Sequence, residues 1–273
     1  MSRDFRLNLF PSTLIFKHIS ILFLVLLFSI QLVAEDRDIA KLFSQENIVG
    51  TMVISSLYSG QRFIHNDRRA NQRFTTASTF KILNTLISLE EKAISEKDDV
   101  FKWNGDTYAI PDWNRDQTLE SAFKVSCVWC FQELARCVGA ENYRSYIQKS
   151  NYGELQEPFD VENFWLDGSL KISAIEQVEF LKKVYQGTLP FSKSSYETLQ
   201  QIMLVEQTQA FSIRAKTGLA GESKPKIGWY VGYVETSNDV WFFSTNIDVY
   251  DEKDFPLRLK LTREALQIKG VIE

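Results

Sequence analysis

The sequence predicts an α+β fold: an antiparallel sheet flanked by helices, joined to a helical half. Three observations carry this. A strand hairpin lies near the start, helical periodicity runs through the middle, and the last third returns to short strands joined by turns. Strands that follow one another through short turns pair antiparallel. The 273 residues suffice for one such domain with a sizeable core.

Residues 1–34 read as an export signal. Arg3, Arg6 and Lys17 lead into a mostly apolar run, Ile19 to Val33, and Ala34 stands at the expected cleavage position. The mature domain is then residues 35–273, a single unit, and the expected location is the periplasm, without a stable membrane partner once the signal is removed. Val49 to Tyr58 is rich in β-branched residues, Ser59-Gly60 signals a turn, and Gln61 to Asn66 returns, which predicts a hairpin. A helix is expected from Ala77 or Ser78, with Phe80, Leu83, Leu86 and Ile87 at helical spacing. Residues 96–118 are polar, hold Trp103, Gly105, Pro111 and Trp113, and read as a long irregular excursion.

Residues 119–150 predict two helices with a break at Gly139. Asn151-Tyr152-Gly153 ends the second, and a loop follows over 154–172. Ser173-Ala174-Ile175-Glu176 is a capping box that opens the next helix, and another follows Pro190. Strands are expected at Phe211 to Lys216, Ile227 to Val234 and Val240 to Thr245, with turns at Gly218 to Lys226 and Glu235 to Asp239. A last helix opens near Pro256.

Composition excludes several function classes. With 44% hydrophobic and 24% charged residues the chain is globular, not disordered. The net charge is −4, and no basic patch marks a nucleic-acid partner. There are two histidines, His18 and His65, and only His65 lies beyond residue 34. A catalytic zinc held by several histidines is therefore excluded. Any nucleophile must draw its base from lysine or a carboxylate, since nothing near His65 suggests a triad.

That points to Ser78-Thr79-Phe80-Lys81. A serine and a lysine three apart share one helix face. The serine falls at the helix N-terminus, where free N–H groups favour a developing oxyanion. Among Phe80, Ile82 and Leu83 the lysine is desolvated, and desolvation lowers an amine's pKa toward that of a base. Alone, the tetrapeptide more often describes an N-cap serine and a surface lysine. Three further pieces accompany it: Ser126-Cys127-Val128, Tyr152-Gly153 and Lys216-Thr217-Gly218. Lys216 is expected at a strand end, with Gly218 letting the backbone approach a ligand.

In this order and spacing the set resembles the active-site motifs of serine β-lactamases and penicillin-binding proteins. Ser126-Cys127-Val128, with Trp129 and Gln132 after it, resembles class D, the oxacillinase type. So do Phe164 to Ser173, Pro225 to Gly232 and Leu257-Arg258. The resemblance runs from about Phe74 to Arg258. One departure is Glu154, where the family carries asparagine after Tyr-Gly.

The resemblance implies the serine β-lactamase fold and hydrolysis of β-lactams, penicillins first, with cephalosporins and carbapenems as open cases. Ser78 is the implied nucleophile. No bound cofactor or metal is implied, but CO2 or bicarbonate carboxylates Lys81, whose carbamate serves as general base. Trp165 would hold the carbamate, with Val128 and Phe80 keeping water sparse. Ser126 would relay a proton to the leaving nitrogen, and Lys216 would hold positive charge beside it. Thr217, Gly218 and Arg258 would bind the substrate carboxylate. The backbone N–H groups of Ser78 and Leu219 would form the oxyanion hole.

Two rivals stand beside this reading. One is a non-hydrolytic penicillin sensor or a peptidoglycan D,D-peptidase, which shares the Ser78 and Lys81 chemistry. The other is a non-enzymatic redox or binding module centred on Cys127 and Cys130. The segment reads as mid-helix, where two cysteines three apart pack as small apolar residues; a disulfide stays open. With three cysteines, at least one is free.

Overall fold

The computed structural model describes residues 35–221 and 224–273, so the expected export signal lies outside the described residues. Helix α1, Arg37–Gln45, comes first. Asp36 caps it by accepting from the Ile39 N–H, and Ile39, Leu42 and Phe43 form its buried face. The expected hairpin follows as β1, Gly50–Ser56, and β2, Arg62–His65. A short helix α2, Asp67–Ala70, and a two-residue strand β3, Phe74–Thr75, lead to a 3₁₀ turn, Ala77–Phe80. Helix α3, Lys81–Glu90, continues directly from that turn.

The 96–118 excursion holds only β4, Val100–Phe101, and β5, Gln117–Thr118, besides a short 3₁₀ turn. Three helices follow: α4, Leu119–Lys124; α5, Val128–Val138; and α6, Ala140–Ser150. Small strands β6, Glu154–Leu155, and β7, Leu170–Ile172, pair with each other, and β7 also pairs with β3. The capping box is present: Ser173 and Glu176 exchange bonds at the start of α7, Ala174–Gln186. Then come α8, Lys193–Ile202, and β8, Leu204–Gln207. Strands β9, Phe211–Ala220, β10, Lys226–Thr236, and β11, Val240–Val249, precede the last helix, α9, Leu257–Ile268.

The main sheet runs β2-β1-β11-β10-β9-β8, antiparallel throughout. Side chains alternate across a strand, so a sheet covered on both sides feeds two cores. Val53, Trp229, Val231 and Phe242 meet the helical half, where Phe80, Leu83, Phe131 and Leu181 are buried. Met52, Ile54, Tyr230 and Phe243 join Ile39, Phe43, Leu261 and Leu266 of α1 and α9. Each such side chain is worth about 1.5–3 kcal/mol when fully buried. Short α1 is therefore held by its packing, since an isolated helix of this length is marginal.

Two expectations are corrected here. Lys216 does not end a strand: β9 continues to Ala220, with Lys216 opposite Val231 and Gly218 opposite Trp229. Gly218 read as a breaker, but its backbone is ordinary strand. A Cβ there would lie 3.2 Å from Thr79 Cγ2 and 3.4 Å from Ala77 Cβ, so glycine serves close approach of the Ser78 turn. The cysteine segment is not mid-helix either. The chain breaks between α4 and α5, Ser126 takes a left-handed φ of 57°, and Cys127 is the N-cap of α5. Cys127 and Cys130 are disulfide-bonded and fully buried, while Cys137 is free and exposed.

Candidate active site

The Ala77–Phe80 turn and α3 place Ser78 and Lys81 one above the other. Ser78 is 9% exposed and Lys81 is fully buried, with its Nζ 3.4 Å from Ser78 Oγ. The ammonium position lies 4.6 Å over the Phe131 ring. No carboxylate pairs with Lys81 among the described residues. Burial, then repulsion from Lys216, holds the Lys81 amine well below the ordinary lysine range. A neutral amine accepts a proton, so this geometry suits a base acting on Ser78.

Trp165 is fully buried and stacks on Phe80 at 5.9 Å. Its Nε1–H has no hydrogen-bond partner among the described residues. An indole N–H is a donor only, and leaving one buried and unpaired costs about 1–3 kcal/mol. A carbamate on Lys81 would need such a donor. The residues present therefore fit a carboxylated Lys81. Val128, half-buried, begins α5 directly after the Ser126 break.

The Ser126 break turns its hydroxyl toward β9. Lys216 Nζ donates to Ser126 Oγ at 2.5 Å and to the Thr217 carbonyl at 3.0 Å. Lys216 is 4% exposed, and its Nζ lies 5.5 Å over the Phe123 ring. Burial, assisted by the Arg258 charge, pulls its pKa down to about 7. Arg258 stands in the first turn of α9, with Nη1 donating to the Phe255 carbonyl. Its Nε is buried and unpartnered, and burial lowers its pKa. Arg258 has no carboxylate partner among the described residues. A Cβ on Gly228 would approach Val249 Cγ2 to 2.9 Å and Ile247 Cγ1 to 3.2 Å, so glycine lets these two side chains pack over β10 beside Arg258. Protonated Lys216 and Arg258 put desolvated positive charge beside the neutral Lys81, which calls for an anionic ligand.

The β9 edge supplies backbone donors. The Ala215 N–H points off β10 to the Met203 carbonyl. Alternate residues of a strand point their N–H groups the same way, so Thr217 and Leu219 share that edge. Strand β8 pairs with β9 only up to Arg214, which leaves the edge beyond it open beside the Ser78 turn. Ser78 lies in the first turn of its element, where N–H groups lack intrahelical partners.

The structure thus brings Ser78, Lys81, Ser126 and Lys216 together, with Arg258 at their edge. It keeps His65 apart: His65 lies on β2, at the other end of the sheet, with Nδ1 2.5 Å from Glu35. Glu154 meets Arg73, which also holds Glu176. Sequence reasoning missed Gln177, a buried amide under the Ser78 turn; its only signal was a polar residue on the apolar face of α7.

The buried lysines have a consequence for stability. Their pKa values are lowered by folding, so between about 7 and 10.5 the native state binds fewer protons at Lys216 than the unfolded chain does. Stability then rises with pH across that window, and the penalty is complete below pH 7. Lys81 acts with the same sign. We expect the Tm to rise between pH 7 and 9, and Lys216→Met to flatten that rise in thermal melts. A wild-type Tm that falls over this range would contradict the assignment.

A lysine-activated serine, a second serine–lysine pair and an open strand edge define a serine acyl-transfer site of the penicillin-binding type. The family model described as the penicillin binding protein transpeptidase domain matches residues 46–267. The β-lactamase OXA-48 of Klebsiella pneumoniae is 40% identical, over 84% of this chain and 87% of that protein. Among solved structures, the class D β-lactamase FUS-1 (OXA-85) of Fusobacterium nucleatum superposes with a TM-score of 0.85 at 36% identity. It covers 88% of this chain and 100% of its own. The class D β-lactamase YbXI of Nostoc gives a TM-score of 0.83 at 38% identity, covering 85% and 98%. The chain belongs to the class D β-lactamases.

Proposed function

We propose that this protein hydrolyses β-lactams through an acyl-enzyme on Ser78 and so confers resistance to them. The carrying observation is the 3.4 Å approach of the fully buried Lys81 to Ser78. The base carried by Lys81 takes the hydroxyl proton as Ser78 attacks the lactam carbonyl, and later takes a proton from the water that attacks the acyl-enzyme and frees Ser78. The Ser78 and Leu219 N–H groups meet the oxyanion, a kind of stabilisation whose loss costs about 10²–10³ in rate. When CO2 carboxylates Lys81, the carbamate would supply an anionic base there, and the unpartnered Trp165 Nε1–H would hold it. Phe80 and Val128 limit water around it. Ser126, hydrogen-bonded to Lys216, passes a proton to the departing nitrogen. Thr217, Gly218 and Arg258 receive the substrate carboxylate.

Penicillins, whose carboxylate these anchors would receive, are the proposed substrates, with cephalosporins and carbapenems as open cases. Residues 35–273 act as one catalytic domain, released to the periplasm after the 1–34 signal. Among the described residues no helix is long and apolar enough to cross a membrane. The redox-module rival is disfavoured because the Cys127–Cys130 bond is buried beside Ser126.

Arg258→Ala tests the carboxylate anchor. A charged hydrogen bond is worth about 1.5–3 kcal/mol, so KM for a penicillin should rise about 10- to 100-fold with a smaller change in kcat. Unchanged KM would remove Arg258 from the binding set. The acyl-enzyme itself is read by intact mass after rapid quench with a penicillin. The account expects a whole-penicillin increment on the Ser78 peptide that then decays. An adduct that persists would leave the sensor reading, and no adduct would remove Ser78 as nucleophile.

A further inference from the structure

We infer that Gln177 of α7 is a positioning residue for the nucleophile, acting through Thr79 on the turn that carries Ser78. The inference rests on Ser78 being that nucleophile. The turn needs holding: Ala77 enters it at a left-handed φ of 48°, which L-residues rarely adopt, and Thr76 makes no side-chain cap bond. Its hydroxyl bonds run in one direction. Gln177 Nε2 donates to Thr79 Oγ1 at 2.8 Å, and Thr79 Oγ1 donates to the Thr76 carbonyl at 2.6 Å. Because the amide N–H only donates, it commits the Thr79 O–H to Thr76 and so closes the turn across Ala77 and Ser78.

All three residues are fully buried. A primary amide placed in an apolar core costs free energy unless its bonds are made, yet Gln177 Oε1 has no partner among the described residues. An apolar residue would pack there without that cost, so the retained amide points to the bond it does make. Tyr152, of the Tyr-Gly motif, closes the same cluster. Its ring lies 5.8 Å from Phe80 and 4.6 Å from Phe180. Its buried hydroxyl faces Thr79 and Gln177, which offset part of the burial that raises its pKa. Glycine is required next: at φ 64°, a Cβ on Gly153 would lie 2.1 Å from the Lys171 carbonyl oxygen. The motif thus seats the fully buried Tyr152 beneath the nucleophile turn.

The test is single-turnover acylation of Ser78 by a fluorescent penicillin, with Tm measured alongside. Thr79→Val and Gln177→Met should each slow the saturating rate on the order of 10- to 100-fold, as small misplacements do. The half-saturating penicillin concentration should stay unchanged, since neither residue touches substrate. Thr79→Ser should recover most of the rate, and the double variant should be no slower than the worse single one. Thr79→Val acylating at the wild-type rate, or losses that multiply in the double variant, would overturn the inference. If Gln177→Met fails to fold, the Thr79→Val and Thr79→Ser pair decides. Unlabelled wild type would overturn the nucleophile reading and this inference together; labelled wild type with unslowed variants would overturn the inference alone.

Discussion

Replacing Lys81 by alanine is expected to lower kcat/KM for a penicillin by about 10⁴-fold, the upper range for losing a general base. The loss follows from the cleft's chemistry. No histidine is near Ser78, and no carboxylate pairs with Lys81 among the described residues, so no other group takes the hydroxyl proton. Lys81→Met should lose as much, because methionine keeps the length and drops only the amine. The Met variant should not melt lower than wild type, since it removes a buried amine whose charged form the core disfavours. Bicarbonate should restore neither variant. Trp165→Phe should act differently: it keeps an aromatic ring against Phe80 and removes the unpartnered N–H along with one ring of the indole. Turnover should survive but need more bicarbonate. A Lys81→Met variant that retains a tenth of wild-type kcat/KM would refute the base assignment.

Ser126→Ala is expected to reduce kcat about 10²- to 10³-fold, within the range for losing a proton relay. It removes the acceptor that Lys216 Nζ holds at 2.5 Å and the route from that cation to the leaving nitrogen. The pH profile tells this apart from simple disruption. Lys216 has a pKa near 7 in the free protein, so wild-type kcat/KM should fall as pH rises through about 7. In the complex the substrate carboxylate favours the cation, and the basic limb of kcat should lie higher. Lys216→Met should abolish that limb. If wild-type kcat/KM stays flat from pH 6 to 9, Lys216 does not act as a charge in this step.

The site was more legible in the sequence than the structure around it. Ser78 and Lys81 could be named because a serine and a desolvated lysine on one helix face suggest the chemistry, whereas Ser126 and Lys216 came from the resemblance of the motif order to a known family. Their meeting could not be read, because it depends on β9 passing beside the Ser78 turn across a long stretch of chain. Lys216 was misplaced at a strand end because glycine reads as a breaker. In a strand covered by a neighbour, glycine instead marks the neighbour's approach, as Thr79 and Ala77 show at Gly218. Cys127 and Cys130 read as helix interior because Val125 and Val128 hide the break. The left-handed Ser126 carries no glycine to announce it. Helix α1 had a visible signal, Asp36 three before Ile39, that short length made easy to overlook. Gln177 had almost none, since its role appears only once α7 lies under the Ser78 turn.

The central claim is that Ser78 is acylated and then released by a base built on Lys81. Steady-state hydrolysis of a chromogenic cephalosporin by residues 35–273, across a bicarbonate titration, tests it most directly. The account predicts sustained turnover that rises with bicarbonate to a plateau and vanishes in Lys81→Ala. One stoichiometric burst without turnover, even at saturating bicarbonate, would contradict it and leave a penicillin acceptor rather than a hydrolase.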